Sequence, residues 1–74
     1  MPEHSNMVRK WRRWLEMTQA DLAAEVGVSR QTIANIEKGN YSPSVYLALD
    51  ICKVLGKSVE EVFNTDPESV NDND

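Results

Sequence analysis

The sequence predicts an all-α domain of five short helices whose second and third members form a helix-turn-helix. Three observations carry this. Two capped helix starts, Thr18 and Ser29, lie eleven residues apart. Gly27 stands between the two runs that follow them, where a sharply turning chain needs a residue tolerant of positive φ. Apolar residues then recur at helical spacing along most of the remaining chain, from Val8 to Phe63.

The first helix is expected from about Asn6 to Leu15. Val8, Trp11 and Leu15 share one stripe, Arg9, Lys10 and Arg13 lie across from it, and Arg12 borders it. Trp11 is expected in the core. Trp14 falls about 60° off the stripe and is expected to be half exposed; it could cover the last helix, join a subunit interface or sit on the surface. The second helix, Gln19 to Val26, opens with Thr18 and Asp21 in capping-box spacing and buries Leu22, Ala23 and Val26. Ala23 is small, so the next helix axis can approach closely.

A turn of about three residues leads to the third helix, Arg30 to Lys38. Ser29 can cap it through the N–H of Gln31 or Thr32, and Gly39 ends it as a left-handed cap. Val28, Ile33 and Ile36 form its inner side, the two isoleucines within about 60° of each other. Gln31, Asn35 and Lys38 fall on the opposite side with Ala34 beside them, Thr32 lies at the border, and Arg30 is near the tip. That outer face carries hydrogen-bonding groups and no carboxylate.

The fourth helix is expected from about Ser44 to Leu55. It has two apolar stripes: Val45, Ala48, Leu49, Cys52 and Leu55 on one, and Leu47, Ile51 and Val54 on the other. A helix apolar over most of its circumference must be covered on more than one side. The remaining cover is Val59, Val62 and Phe63 on a short fifth helix capped by Ser58 and Glu61. This is too little, so Leu47, Ile51, Val54, Val62 and Phe63 are expected at a subunit interface.

Gln19, Ala23, Gly27, Ile33 and Ile36, with the run VSRQTIANIEKG from Val28 to Gly39 and then Tyr41, Pro43 and Ser44, resemble the helix-turn-helix of the Xre, Cro and phage-repressor family. The resemblance covers roughly Val8 to Phe63 without a gap. It implies a short single-domain transcriptional regulator, a repressor acting as a homodimer on a two-fold symmetric site in double-stranded DNA, with the third helix in the major groove. It also implies a partly buried ion pair between Arg12 and Glu37, and a contact from Gln19 to a DNA phosphate assisted by the positive end of its helix. Base chemistry then makes Arg30, Gln31, Thr32 and Asn35 the candidate base readers: Arg pairs with guanine, Gln or Asn with adenine, and the Thr methyl suits thymine. Ser29, Lys38, Asn40 and Tyr41 join Gln19 as candidate phosphate contacts, which position without specifying sequence.

Composition bounds the rest. Seventy-four residues make one small domain with a modest stability margin. Residues 1–5 are expected to fray, residues 6–63 to form the domain, and residues 64–74 to be an acidic, disordered tail. The net charge of −4 is unevenly spread: residues 1–40 balance to +1 and residues 41–74 to −5. Binding depends on the local field at the docking face, so this acidity implies modest, salt-sensitive non-specific affinity rather than none. No apolar run approaches a membrane span and no signal segment is present, so the cytoplasm is expected. His4 is expected to be a solvated terminal residue, and Cys52 a small core residue where the resembled family usually has Ala. These are the only candidates for a nucleophile–base pair. No P-loop or dinucleotide fingerprint occurs, so neither an enzyme nor a cofactor or metal is expected. The alternative is a protein-interaction module on the same fold, with a regulatory protein as partner; an adaptor, however, has no reason to keep Arg30, Gln31 and Asn35 on an acid-free face. RNA binding lacks paired stacking aromatics.

Overall fold

The computed structural model describes residues 6–63, so the expectations for residues 1–5 and 64–74 fall outside the described residues. In chain order the helices are α1 (Val8–Trp14), α2 (Gln19–Val26), α3 (Arg30–Lys38), α4 (Val45–Leu55) and α5 (Val59–Phe63), and no strand occurs among the described residues. α1 is shorter at both ends than its apolar stripe predicts.

Local chemistry places the helix starts. At α2, the Asp21 N–H donates to Thr18 Oγ1 and the Thr18 N–H donates to Asp21 Oδ2, both at 2.9 Å. Ser58 and Glu61 repeat this box before α5, at 2.8 and 3.1 Å. Ser29 and Ser44 cap α3 and α4 by accepting from the N–H of Thr32 and of Leu47. Each such cap contributes about 1 kcal/mol. α2 ends at Gly27 with φ 77°, and the Val28 N–H turns back to the Ala23 carbonyl, which swings the chain into α3. α1 ends differently. Glu16 takes the left-handed conformation at φ 60°, the one non-glycine to do so among the described residues, at a cost of about 1 kcal/mol.

All five helices contribute to one core. Val8, Leu22, Ile33, Ile36, Ile51 and Val62 are fully inaccessible, and Ala23, Cys52 and Leu55 join them. Complete burial of such aliphatic side chains stabilises by about 1.5–3 kcal/mol each before entropy is counted. Trp11 is half-buried rather than wholly interior. Its indole Nε1 donates to the Glu61 carbonyl at 3.2 Å, and Lys57 Nζ stands 4.1 Å from its ring centroid. Leu15 is exposed, and Trp14, at 74%, is more exposed than its offset from the stripe predicts.

The structure corrects the expectation for α4. Its buried arc is neither stripe but the seam between them. Ile51 and Leu55 lie about 40° apart at the centre of that arc, with Ala48 and Cys52 on one flank and Leu47 and Val54 on the other. Ile51 and Val62 are therefore core residues of the single chain and unavailable to a partner. Leu47, Val54 and Phe63 are half-buried against the same core. Val45 and Leu49 are turned outward, 70% and 49% exposed, beside Tyr46 at 81%. The reason is geometric: α4 packs on α2 and on a single short turn of α5, and two such contacts cover one arc of a helix.

Candidate nucleic-acid interface

α2 and α3 pack against each other across the three-residue turn Gly27, Val28 and Ser29. α3 turns Ile33, Ala34 and Ile36 inward. Ala34 was expected beside the outer polar residues; at 7% exposure it is instead buried. Gln31 and Lys38 stay exposed and Asn35 is half-buried, so the outer face keeps its polar character.

The one acid on α3, Glu37, does not reach that face. Its side chain has no exposure. Arg12 grips it with two hydrogen bonds, Nε to Oε2 at 2.6 Å and Nη2 to Oε1 at 3.1 Å, while Arg12 Nη1 donates to the Met17 carbonyl at 2.8 Å. Gln19 Nε2 donates to Glu37 Oε1 at 3.1 Å, and Arg9 Nε approaches the same oxygen at 3.5 Å. Burial pushes this carboxyl's pKa up. The hydrogen bonds from Arg12, Gln19 and Arg9, with the Arg12 charge, outweigh it and hold the pKa below the ordinary carboxylate value. One carboxylate thus ties α1, α2 and α3 together. Asn6 adds a second tie between α1 and α3, donating from Nδ2 to the Ile36 carbonyl and accepting the Val8 N–H.

The other predicted site residues are placed as follows. Arg30 is exposed at the tip of α3, and its Nη1 donates to Gln19 Oε1 at 3.0 Å. Gln31 Nε2 donates to Asn35 Oδ1 at 3.2 Å, one turn away, so two candidate readers share a hydrogen bond on the outer face of α3. Thr32 is half-buried, and its hydroxyl lies 2.9 Å from Ser29 Oγ, which is itself engaged in capping. Asn40 and Tyr41 are exposed just beyond the left-handed Gly39, on the same end of α3 as Lys38. Gln19 is not swung outward alone; both ends of its amide are engaged within the domain.

Sequence reasoning missed the place of Arg9 and the double engagement of Gln19. The only available signal was that Gln19 and Glu37 sit at the starts and ends of packed helices, and no spacing rule joins residues so far apart. Cys52 is buried, and burial pushes its thiol pKa up, away from the reactive thiolate. Among the described residues, no three His, Cys, Asp or Glu side chains cluster as metal ligands would, and no helix is long and apolar enough to cross a membrane.

A capped helix, a left-handed glycine and a second capped helix with a polar outer face define a helix-turn-helix domain. Comparison with known proteins agrees. The family model described as helix-turn-helix matches residues 8–62. An uncharacterised HTH-type transcriptional regulator of Methanocaldococcus jannaschii is 48% identical over 58 residues, 78% of this chain and 88% of that protein. The chain belongs to the helix-turn-helix family of transcriptional regulators, of the Xre type that its sequence resembles. Among solved structures, the restriction-modification controller protein C.AhdI of Aeromonas hydrophila shares the fold, with a TM-score of 0.68 and 24% identity over 73% of this chain and 82% of its own. The same unit forms part of a larger protein: the hydroxypropylphosphonic acid epoxidase of S. wedmorenis matches 74% of this chain with 29% of its own length, at a TM-score of 0.69 and 27% identity.

Proposed function

We propose that the protein is a sequence-specific repressor of transcription, not an enzyme, that acts in the cytoplasm as a homodimer on a two-fold symmetric DNA operator. α3 enters the major groove, where Arg30, Gln31, Thr32 and Asn35 read base edges. Ser29, Lys38, Asn40 and Tyr41, at the two ends of α3, and Gln19 at the start of α2 contact phosphates and set the register.

The observation that carries this reading is the sequestration of Glu37. The recognition helix holds one acid, and four donors from two other helices, α1 and α2, draw its carboxylate wholly out of reach of solvent. The face left outside is uncharged or basic, as a polyanion requires. The local field at the docking surface thus differs in sign from the acidic balance of the whole chain.

The homodimer rests on a different surface from the one the apolar stripes predict. Val45, Tyr46 and Leu49 lie on the outer side of α4, spaced by three and four residues, and all three are exposed. A second copy meeting this face buries them without disturbing the core. The relatives' names as transcriptional regulators support the functional class.

Selection of bound duplexes from a random DNA pool at moderate salt, with solution mass recorded in parallel, tests the proposal. Enrichment of an inverted repeat by a dimer is the expected result. A chain that enriches no duplex is not a DNA reader, and the exposed α4 face then directs attention to a protein partner.

A further inference from the structure

α1 carries four cations, Arg9, Lys10, Arg12 and Arg13, and no acid. Glu37 takes up two of them, pairing with Arg12 at 2.6 Å and with Arg9 at 3.5 Å. Lys10 and Arg13 form no ion pair among the described residues. On the helical wheel these two and Trp14 fall within about 100° of one another, on the side opposite Val8 and Arg12. All three face solvent, and Trp14 is the most exposed apolar side chain after Tyr46, at 74% against 81%. The chain leaves the domain beside this face. The last carbonyls of α5 are capped by α1: the Met7 N–H donates to the Val62 carbonyl at 2.7 Å, and Trp11 Nε1 to the Glu61 carbonyl at 3.2 Å. Lys10 Nζ and Lys57 Nζ stand 4.9 and 4.1 Å from the Trp11 ring centroid. Phe63 is thus anchored within a turn of Lys10 and Trp14.

We propose that residues 64–74 of the same chain dock on this outer side of α1, their carboxylates against Lys10 and Arg13 and Val70 against the Trp14 ring. The segment has the complementary chemistry: four acids, Asp66, Glu68, Asp72 and Asp74, no cation and one aliphatic side chain, Val70. It also has the reach. At full extension Glu68 lies up to roughly 17 Å from Phe63, whereas Lys10 and Trp14 are only about 6 Å apart along the helix. A single exposed ion pair is weak. Attachment at Phe63, however, gives the segment an effective concentration of about millimolar, so several weak contacts add up to an occupied surface. The indole gains apolar cover, and the surplus charge of α1 gains partners. α1 meets α3 through its inner side, where Arg12 grips Glu37. Four carboxylates held on the outer side of α1 are therefore kept off the outer face of α3. This docking does not depend on α3 being a DNA reader.

A paramagnetic label on the full chain tests this, attached through Asn71→Cys with Cys52→Ala removing the native thiol. In NMR spectra at low salt, the backbone amides of Lys10 to Leu15 are expected to lose signal. Those of Gln31 to Lys38 on α3 and of Val45 to Leu49 on α4 are expected to keep theirs. The loss should reverse in Lys10→Gln with Arg13→Gln, and at about 1 M salt, where the screening length falls to about 3 Å. A second full-length variant, Asp66→Asn, Glu68→Gln, Asp72→Asn and Asp74→Asn, is expected to shift the Trp14 indole N–H resonance while leaving the urea midpoint unchanged. Signal loss spread evenly over α1, α3 and α4 means that the segment docks nowhere and overturns the proposal. Loss centred on α3 overturns it in another way, by making the segment a competitor at the outer face of that helix. Loss seen only when label and observed amides sit on separate chains assigns the face to a second copy and overturns the intrachain contact. An indole resonance that does not move in the neutralised variant removes Trp14 from the docking surface and overturns the proposal as stated.

Discussion

α3 and α4 are neighbouring helices of similar length that treat their outer faces in opposite ways. α3 buries Ile33, Ala34 and Ile36 and shows solvent a polar face from which its one acid has been withdrawn. α4 buries Ile51, Cys52 and Leu55 and leaves Val45, Tyr46 and Leu49 outside. A surface that meets a charged, hydrated ligand keeps its groups wet and sorted by sign. A surface that meets another protein keeps apolar area exposed until the partner arrives. The contrast also separates two kinds of cohesion. The α1–α3 junction is held by a buried, fully partnered charge, and the α4 junctions by aliphatic packing.

The largest effect should come from breaking the polar junction on one side. Arg12→Met leaves Glu37 buried without its main partner and should lower unfolding free energy by about 3–5 kcal/mol, read from urea denaturation. An effect below about 1 kcal/mol would mean that solvent reaches Glu37 and that the junction is ordinary surface chemistry.

The apolar junction should respond to Ile51→Ala with a loss of about 2–5 kcal/mol from transfer and cavity terms. The same residue placed at a subunit interface would lose dimer mass with little change in the monomer's stability, so this variant decides between the two assignments of Ile51.

Acid should distinguish the junctions without mutation. The pKa of Glu37 is depressed in the folded chain, so the stability it contributes is present above its unfolded value, near 4.5, and is lost as pH falls through the lower folded value. Asp21 and Glu61 are depressed in the same direction by their capping hydrogen bonds, led by the Thr18 and Ser58 backbone N–H groups, and add to the acid loss. Thermal unfolding followed between pH 6 and pH 3 should show the wild type losing melting temperature more steeply than a variant with both Arg12→Met and Glu37→Leu. Parallel slopes would remove Glu37 as the main acid-sensitive group.

The smallest effect on the fold should come from Leu49→Lys, on the outer side of α4. Stability of the monomer should change by less than about 0.5 kcal/mol. The solution mass should nevertheless fall from dimer to monomer, and affinity for the two-fold operator with it. A variant that stays dimeric would move the interface off the outer side of α4.

Much of the fold was legible in the chain because its signals are local. Thr18 with Asp21, Ser29, Gly27 and Gly39 satisfy or redirect backbone groups within a few residues of themselves, so the bounds of α2 and α3 follow from short-range chemistry. The inward placement of Ile33 and Ile36 follows from helical period alone. The α4 stripes were less readable, because period shows that a face is apolar without showing what lies opposite.

By itself, then, the sequence determined the helices, their caps and turn, the all-α class and the acid-poor composition of the outer side of α3. Each depends on interactions among residues within about four positions of one another. Only the tertiary structure decided which arc of α4 is buried, that Ile51 and Val62 belong to the core while Val45 and Leu49 face outward, and that Gln19 bridges Glu37 and Arg30. Those outcomes depend on where separate helices come to rest, and that is set by the packing of the whole core, which no short window of sequence contains.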